Sequence, residues 1–265
     1  MTLDLAAIAG ALGSPVERTT PLAGGDISGA SRLTLADGRE IVAKAGPLVE
    51  VEARMLSAIV DTGAPCPGVI ATGEKWFAME WIEASGASDR WEALADTLHL
   101  LHRPKQASFG WDEDYAFGPV AIANQRCRDW ARFWAERRLL CHVPYIDSAL
   151  GKRIARLCER IGDLLPAYTT TSLLHGDLWG GNVIWSDGNA HLIDPACYFG
   201  HREVDWAMLT LFDHPPENFF ALLDPEPGWR ERQPLYRLWP WLVHLRLFGG
   251  SYRGAVEREL AALGF

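Results

Sequence analysis

The first 82 residues contain short segments in which hydrophobic and polar positions alternate, separated by turn residues. This period of two is typical of strands. It predicts strands at 16–22, 31–36, 40–45, 69–71 and 76–82. Residues 2–12 instead predict a short helix that ends at Gly13, and a second helix is predicted to begin near Pro47. The N-terminal part is therefore predicted to be a small antiparallel sheet with one main helix.

From about residue 91 the hydrophobic positions follow a helical period. Helices are predicted at 91–102, 125–140, 148–164, 203–213 and 232–261. A short β-rich patch at 182–194, bent at Asp187-Gly188, interrupts them, and the small polar residues 83–89 are typical of a hinge. A β-rich lobe followed by a larger helical lobe indicates an α+β, two-lobed fold, with lobes at 1–84 and 85–265.

Composition and charge narrow the class of protein. The chain has 265 residues, 48% of them hydrophobic and 22% charged, as in ordinary globular proteins. A net charge of −9 disfavours a nucleic-acid partner, which requires a basic surface. The five cysteines are scattered without a CxxC pair, and the N-terminus carries Asp4 and no basic segment. We expect no zinc site, no membrane span and a cytoplasmic protein.

The most informative polar segment is HGDLWGGN at 175–182, which is followed by LIDP at 192–195. Asn182 and Asp194 supply oxygen atoms of the kind that magnesium prefers. Asp177 precedes Asn182 by five positions, the spacing of base and metal-binding Asn in a kinase catalytic loop. A polar turn would account for any one of these residues but not for all three at this spacing. The segment therefore predicts phosphoryl transfer.

Lys44 and Glu52 form a second candidate feature. Lys44 lies inside an apolar strand, and Glu52 lies on the apolar stripe of the following helix. Each charge would be costly to bury alone, and pairing removes both costs. Such a pair holds the ATP phosphates in kinases. Glu50 is the rival partner but falls on the polar face of the helix, and an unpaired surface Lys44 is the alternative.

A glycine-rich turn precedes the strand of Lys44. Its residues Gly24, Gly25, Ile27 and Ser28 can offer backbone N–H groups to phosphate. The turn matches neither the Walker nor the dinucleotide-binding pattern, so its position between two strands is the main argument for it.

Asp205 lies on an apolar helical stripe and is expected to accept hydrogen bonds from the catalytic loop, a structural role. The preceding residues His201, Arg202 and Glu203 could contact substrate or could only brace Asp205. Ten residues lie between Asp194 and Asp205, too few for a long phosphorylatable loop. A regulated protein kinase is therefore disfavoured.

Together these motifs resemble the fructosamine kinase (ketosamine 3-kinase) family, in the aminoglycoside phosphotransferase-like branch of the protein-kinase fold. The resemblance rests on HGDLWGGN, on IDPACYFGHREVDWAM at 193–208 and on GGDIS at 24–28. Four further segments extend it over nearly the whole chain: LLH at 100–102, FGW at 109–111, FWAERRL at 133–139 and LFGGSY at 247–252. Trp179 is the letter that discriminates this family from its relatives.

The resemblance implies phosphorylation of a sugar hydroxyl on a ketosamine, free or formed on a protein lysine, with ATP and Mg²⁺ and as a step of deglycation. It implies that Asp177 is the base and that Asn182 and Asp194 hold magnesium. It places the phosphates at Lys44, Glu52 and the glycine-rich turn. It further implies an adenine site at the backbone of Glu80, Trp81 and Ile82, and a sugar site at His175, Asp177 and Trp179.

The acceptor stays open at this point. Asp112, Glu113 and Asp114 form an acidic cluster that suits a cationic acceptor such as an aminoglycoside, a choline-like alcohol or an amino sugar. Surface acidity also explains the cluster. The family pattern has Asp-Asn where this chain has Asp114-Tyr115, and Gln-x-Asn where it has Ile122-Ala123-Asn124, and both departures lie near the acceptor side. A silent binding module is disfavoured because no expected catalytic residue is missing.

The chain contains 12 tryptophans. Five lie on helical stripes and are expected to pack inside the protein: Trp130, Trp134, Trp206, Trp239 and Trp241. Trp179 lies on a loop beside the predicted base, where a flat side chain can stack on a sugar. The basic pair Arg137 and Arg138 is predicted to face solvent.

Overall fold

The protein is described by a computed structural model that covers residues 3–22, 29–86, 90–105, 107–166 and 168–265. Gly24, Gly25, Ile27 and Ser28 of the glycine-rich turn lie outside the described residues. Two compact units divide the chain. Unit 1 comprises Met1–Leu101 and Gly181–Ala196, and unit 2 comprises His102–Gly180 and Cys197–Phe265. The predicted lobe boundary after residue 84 stays a prediction.

Unit 1 is built on a five-stranded antiparallel sheet with strand order β1-β2-β3-β5-β4. Its strands are β1 (Val16–Pro21), β2 (Gly29–Leu35), β3 (Glu40–Ala45), β4 (Val69–Gly73) and β5 (Trp76–Glu80). Its helices are α1 (Leu5–Leu12), α2 (Val49–Val60) and α3 (Arg90–Leu101). The strands and helices predicted from the N-terminal pattern are thus present with ends shifted by a few residues.

The two faces of β3 pack against different helices. Ile41, Ala43 and Ala45 join Ile8 of α1 in one buried cluster. Val42 points to the opposite face and joins the cluster of α2. Because side chains alternate across a strand, Lys44 shares the face of Val42 and is directed toward α2.

Unit 2 is mostly helical. Its helices are α4 (Trp130–Trp134), α5 (Ser148–Glu159), α6 (Ile161–Leu164), α7 (Glu203–Leu209), α8 (Glu217–Leu222), α9 (Trp229–Phe248) and α10 (Arg253–Ala262). Its strands form two short antiparallel pairs, β6 (Tyr115–Phe117) with β7 (Val120–Ile122), and β8 (Ser172–Leu174) with β11 (Tyr198–Gly200). One aromatic-rich core, which includes Trp134, Tyr198 and Trp239, unites α4, α5, α7, α9 and α10.

The β-rich patch is a hairpin of unit 1, formed by β9 (Val183–Ser186) and β10 (Asn189–Leu192). Val183 pairs with Leu192, and Asp187 and Gly188 make the turn with positive φ. The hydroxyl of Thr97 on α3 donates a 3.0 Å hydrogen bond to the carbonyl of Ala190. The bend predicted at Asp187-Gly188 is confirmed.

Four helix predictions for unit 2 were wrong in extent. The helix predicted at 148–164 is divided at Arg160 into α5 and α6. The helix predicted at 125–140 begins at Trp130, continues as a π-helix over Ala135–Leu139 and ends in 3₁₀ turns. The helix predicted at 232–261 begins at Trp229 and is broken after Phe248, because Gly249 adopts a positive φ of 84°. The helix predicted at 203–213 ends at Leu209. The short pairs β6–β7 and β8–β11 were not predicted, since three-residue strands carry little periodic signal.

Among the described residues, no helix is both long and apolar enough to cross a membrane.

Candidate functional site

Lys44 forms the centre of a charged cluster within unit 1. Its Nζ lies 2.5 Å from Oε1 of Glu52 on α2 and 2.6 Å from Oδ1 of Asp194. Lys44 and Glu52 are buried, whereas about a quarter of the Asp194 side chain is accessible, with a relative exposure of 27%. The pairing of Lys44 with Glu52 rather than with the exposed Glu50 is therefore present, and Asp194 adds a second carboxylate.

The environment keeps Lys44 protonated. Burial alone would favour the neutral amine, but the adjacent carboxylates of Glu52 and Asp194 outweigh it and raise the pKa of Lys44. Asp194 is the accessible member of the cluster. Lys44 and Glu52 lie behind it and hold its carboxylate in place for a ligand that binds on the accessible side.

The hairpin β9–β10 brings Asn182 and Asp194 to the same end. Asn182 directly precedes Val183 and Asp194 follows Leu192 by two residues, and those two strand residues are paired. The N–H of Ile193 donates a 3.0 Å hydrogen bond to the carbonyl of Asn182, which closes this end of the hairpin. Asp194 has a φ of 55°, a left-handed conformation that is uncommon for a non-glycine residue and that clusters at functional sites.

Within unit 2, the segment His175–Asp177 forms a tight loop after β8. His175 is buried, and Gly176 adopts a positive φ of 79°. The N–H of Asp177 lies 3.3 Å from Nδ1 of His175, which accepts the hydrogen bond. The Asp177 side chain is half-buried. His175 thus acts as a support inside the loop, while Asp177 is only partly buried.

Asp205 on α7 anchors this loop. Its carboxylate accepts hydrogen bonds from the backbone N–H of His175 at 2.8 Å and of Gly176 at 2.9 Å. Nε2 of His102 lies 2.9 Å from the same carboxylate and completes its buried surroundings. Sequence reasoning did not assign a role to His102, although it lies in the LLH motif at 100–102.

Of the three residues His201, Arg202 and Glu203, Arg202 is partly exposed and the other two do not face solvent. His201 and Glu203 are buried. Nδ1 of His201 lies 2.8 Å from the hydroxyl of Tyr236, and both carboxylate oxygens of Glu203 accept hydrogen bonds from Arg232. These contacts tie α7 to α9, so for His201 and Glu203 the geometry favours the bracing alternative over substrate contact.

Trp179 is exposed to 37%, and the loop beyond it is held by Asp213. The N–H of Gly180 donates a 2.7 Å hydrogen bond to Oδ2 of Asp213. A Cβ at position 180 would lie 2.5 Å from Oδ1 of Asp213, so a larger residue there would force the Asp213 carboxylate to move. Asp213 was missed by sequence reasoning, because no motif marks a carboxylate that follows a helix end.

The predicted adenine segment lies at the end of β5. Glu80 is exposed, and its carboxylate accepts a 3.0 Å hydrogen bond from the N–H of Gly68. The ring of Trp81 lies 4.1 Å from the guanidinium carbon of Arg32, and its Nε1 donates to Glu83. Ile82 is half-buried in the extended chain that follows. In the described part of the sheet, Glu80 is the last paired residue of β5, and the backbone groups of Trp81 and Ile82 have no strand partner.

The fold, the Lys44 cluster of unit 1 and the Asp177 loop of unit 2 define a phosphotransferase of the protein-kinase-like class. The fructosamine kinase family profile matches residues 5–263, and the chain belongs to that family.

Named relatives agree with this assignment. A protein named "Probable ketoamine kinase" from Thermus thermophilus is 34% identical over 256 residues, which are 91% of this chain and 92% of that protein. The chloroplastic protein-ribulosamine 3-kinase of Oryza sativa subsp. indica is 33% identical over 229 residues, 79% of this chain and 67% of that protein. The crystal structure of a candidate fructosamine-3-kinase from Thermobifida fusca superposes with a TM-score of 0.88 at 30% identity and covers 98% of both chains.

Proposed function

We propose that this protein transfers the γ-phosphoryl group of ATP to a sugar hydroxyl of a ketosamine, with Mg²⁺ as the metal ion. The observation that carries the proposal is the buried Lys44, held between Glu52 and Asp194 although Asp194 lies 150 residues away in the chain. A cation fixed in this way is suited to phosphate oxygens and unsuited to a purely structural role, since a buried ion pair alone stabilises a fold little.

Asp177 is the proposed base. Its carboxylate accepts the proton of the sugar hydroxyl while the hydroxyl oxygen forms a bond to the γ-phosphorus of ATP. The bond between that phosphorus and the bridging oxygen breaks, and ADP leaves. The bonds from His175 and Gly176 to Asp205 hold the loop of Asp177 in place before substrate arrives.

Asn182 and Asp194 are the proposed metal-binding residues. Both offer hard oxygen atoms at one end of the hairpin. In the described part of the chain, no group of three or more His, Cys, Asp or Glu side chains forms a metal site. Two protein ligands fit a magnesium ion that retains waters and phosphate oxygens, where it would neutralise charge on the phosphates.

The remaining contacts follow from the family resemblance. Backbone groups around Glu80, Trp81 and Ile82 would bind adenine, and the glycine-rich turn with Gly24, Gly25, Ile27 and Ser28 would cover the phosphates. Trp179 would stack on the sugar, with His175 supporting the loop from behind. The exposed face of Trp179 supports this part of the proposal.

The test is turnover of free fructosamine, ribulosamine and a glycated lysine peptide with ATP and Mg²⁺, with ADP release and phosphorus NMR of the product. Asp177→Asn should lower kcat by at least about 100-fold, the low end for loss of an acid–base group. Asp163→Asn is the matched control, because Asp163 is an exposed carboxylate of unit 2 that pairs with the exposed Arg160. If no ketosamine is phosphorylated by the folded protein, the proposal is wrong.

An acceptor screen also decides the alternative substrates. The acidic cluster gives them little support, because Asp112 pairs with Arg126 and Asp114 accepts a 2.7 Å hydrogen bond from the N–H of Asn124. Turnover of aminoglycosides, choline-like alcohols or amino sugars in preference to ketosamines would show that the protein is a kinase of the same fold with a different acceptor.

A further inference from the structure

A continuous set of aromatic rings extends from Trp179 across unit 2. The ring centroids of Trp179 and Phe212 lie 5.9 Å apart, and those of Phe212 and His244 lie 5.3 Å apart. The ring centroid of His244 in turn lies 5.1 Å from that of Tyr252 and 5.6 Å from that of Phe248. We call this set the aromatic shelf, and its members are Trp179, Phe212, Trp241, His244, Phe248 and Tyr252.

The shelf faces solvent although it is apolar. Trp179, Phe212 and Phe248 are 37%, 42% and 52% exposed. Trp241, His244 and Phe248 follow one another at helical spacing on α9, and the glycine pair after Phe248 turns the chain so that Tyr252 returns to the same rings. Packing of the core does not require exposed rings in contact with one another, and such a surface is typical of a binding site.

His244 contributes a hydrogen-bond acceptor to the shelf. Its Nδ1 donates a 2.7 Å hydrogen bond to the carbonyl of Pro240. Burial lowers the pKa of His244, so the ring is neutral near pH 7 and Nε2 is left as a hydrogen-bond acceptor. The face of the shelf therefore accepts hydrogen bonds and attracts cations, and it presents no positive charge of its own.

A carboxylate adjoins the same end of the shelf as Trp179. Asp213 follows Phe212 in the chain and binds the N–H of Gly180, the residue after Trp179. Aromatic faces and a carboxylate together attract an ammonium group attached to an apolar chain. A ketosamine carries that group, because its sugar is joined through one methylene to a secondary amine that bears an N-substituent.

We infer that the aromatic shelf binds the N-substituent of the ketosamine acceptor. This inference rests on the proposed function and names the part of the substrate that the proposed catalytic loop does not contact. With the sugar on Trp179, the ammonium lies against Phe212 and Asp213, and an extended alkyl stem continues over His244 toward Phe248 and Tyr252. The occupant is an alkylamine ketosamine, of which a lysine side chain is one case.

The test is a series of fructosamines with the same sugar and different amines: methylamine, butylamine and hexylamine. Each methylene that contacts the shelf is removed from water, and this burial favours binding. The kcat/KM of the hexyl adduct should therefore exceed that of the methyl adduct by at least about tenfold. Equal values for the three adducts would overturn the inference. Turnover of the methyl adduct measures the proposed function separately, and loss of turnover for every adduct would overturn that function instead.

Variants of the shelf locate the effect. The double variant Phe248→Ala/Tyr252→Ala should reduce the hexyl-to-methyl ratio of kcat/KM to about threefold or less, because the contact area at the far end of the shelf is removed. The matched control is Tyr168→Ala, which removes an aromatic ring that is 93% exposed and outside the shelf. A wild-type ratio in the double variant, with an unchanged melting temperature, would place the N-substituent elsewhere.

The role of the Asp213 charge is tested by comparing a charged adduct with a neutral one. Asp213→Asn keeps an oxygen for the N–H of Gly180 but loses the negative charge. It should raise KM of the hexyl adduct by about fivefold or more, and of the neutral N-acetylated hexyl adduct by less than about twofold. Equal losses for the charged and the neutral adduct would show that Asp213 only holds the loop. Calorimetric titration of the hexyl adduct without ATP should give the same order of variants.

Discussion

At the scale of single residues, Lys44 combines a structural cost with a functional use. It is buried with Glu52, and Asp194 completes its surroundings. The desolvation of such a pair offsets most of its attraction, so hydrophobic residues of similar volume would serve the fold equally well. We therefore expect that replacing both charges together costs little stability but abolishes activity.

This separation can be measured. Lys44→Met leaves the Glu52 carboxylate buried without its cation and should lower the free energy of unfolding by about 3–5 kcal/mol. The double variant Lys44→Met/Glu52→Leu should recover most of that loss, because Asp194 remains partly solvated. Urea denaturation measures both variants, and turnover with ATP should stay at background in both.

Lys152→Met, an exposed lysine on α5, controls for loss of a positive charge. A double variant as unstable as the single one would show that the ion pair itself stabilises unit 1. Recovery of activity in the double variant would remove Lys44 from the phosphate site.

The pairing of Lys44 with Glu52 was predictable because both lie on apolar faces of neighbouring elements. The contact of Lys44 with Asp194 could not be derived in the same way, since it joins residues 150 positions apart. His102 and Asp213 were missed for a related reason. Each is recognised by the backbone N–H or the carboxylate that it meets, and such partners leave no pattern in the sequence around them.

At the scale of elements, the sequence predicts turns well and irregular helices badly. Asp187-Gly188 marks the hairpin β9–β10 because both residues tolerate positive φ. The helix predicted at 125–140 instead contains a π-helical segment, Ala135–Leu139, which the hydrophobic period does not reveal. A π-helix has more residues per turn than an α-helix, so its side chains do not follow the α-helical period, and Arg138, predicted to face solvent, is buried.

Arg138 is held as a planar cation. Its guanidinium carbon lies 4.1 Å from the ring centroid of Tyr198 and 4.9 Å from that of Trp239. Its Nη atoms donate hydrogen bonds to the carbonyl of Ala123 at 2.8 Å and to Oδ1 of Asn124 at 2.7 Å. The π-helix therefore fixes the segment that carries Asn124, near the predicted acceptor side.

Arg138→Lys should be destabilising although it keeps the charge. A lysine cannot donate to both oxygens while stacking on the rings, so we expect a loss of about 2 kcal/mol or more in the free energy of unfolding. Arg137→Lys, at the neighbouring and more exposed position, is the control. Equal stabilities of the two variants in urea would show that only the positive charge matters at position 138.

At the scale of the whole molecule, two buried histidines couple folding to pH. Burial, aided by Arg246 and Arg138, lowers the pKa of His142 to about 3. Burial, aided by Arg232 and Arg202, lowers the pKa of His201 to about 3. Both rings are neutral in the folded protein near pH 7, and both would have a pKa of about 6.5 in the unfolded chain.

The sign of the effect follows from proton binding. Between pH 6.5 and 3 the unfolded chain binds more protons at these histidines than the folded protein does. Stability therefore falls as pH decreases below about 6.5, and the loss ends only when the folded protein also protonates near pH 3. At pH 5 each histidine lowers the free energy of unfolding by about 2 kcal/mol relative to pH 7.

We therefore expect the free energy of unfolding, measured by urea titration, to fall by about 3–4 kcal/mol between pH 7 and pH 5. The double variant His142→Gln/His201→Gln should flatten this dependence even if it is less stable at pH 7, because the slope reports proton uptake and not packing. His214→Gln, at an exposed position, should keep the wild-type slope. A wild-type slope in the double variant would assign the acid sensitivity to the carboxylates instead of these histidines.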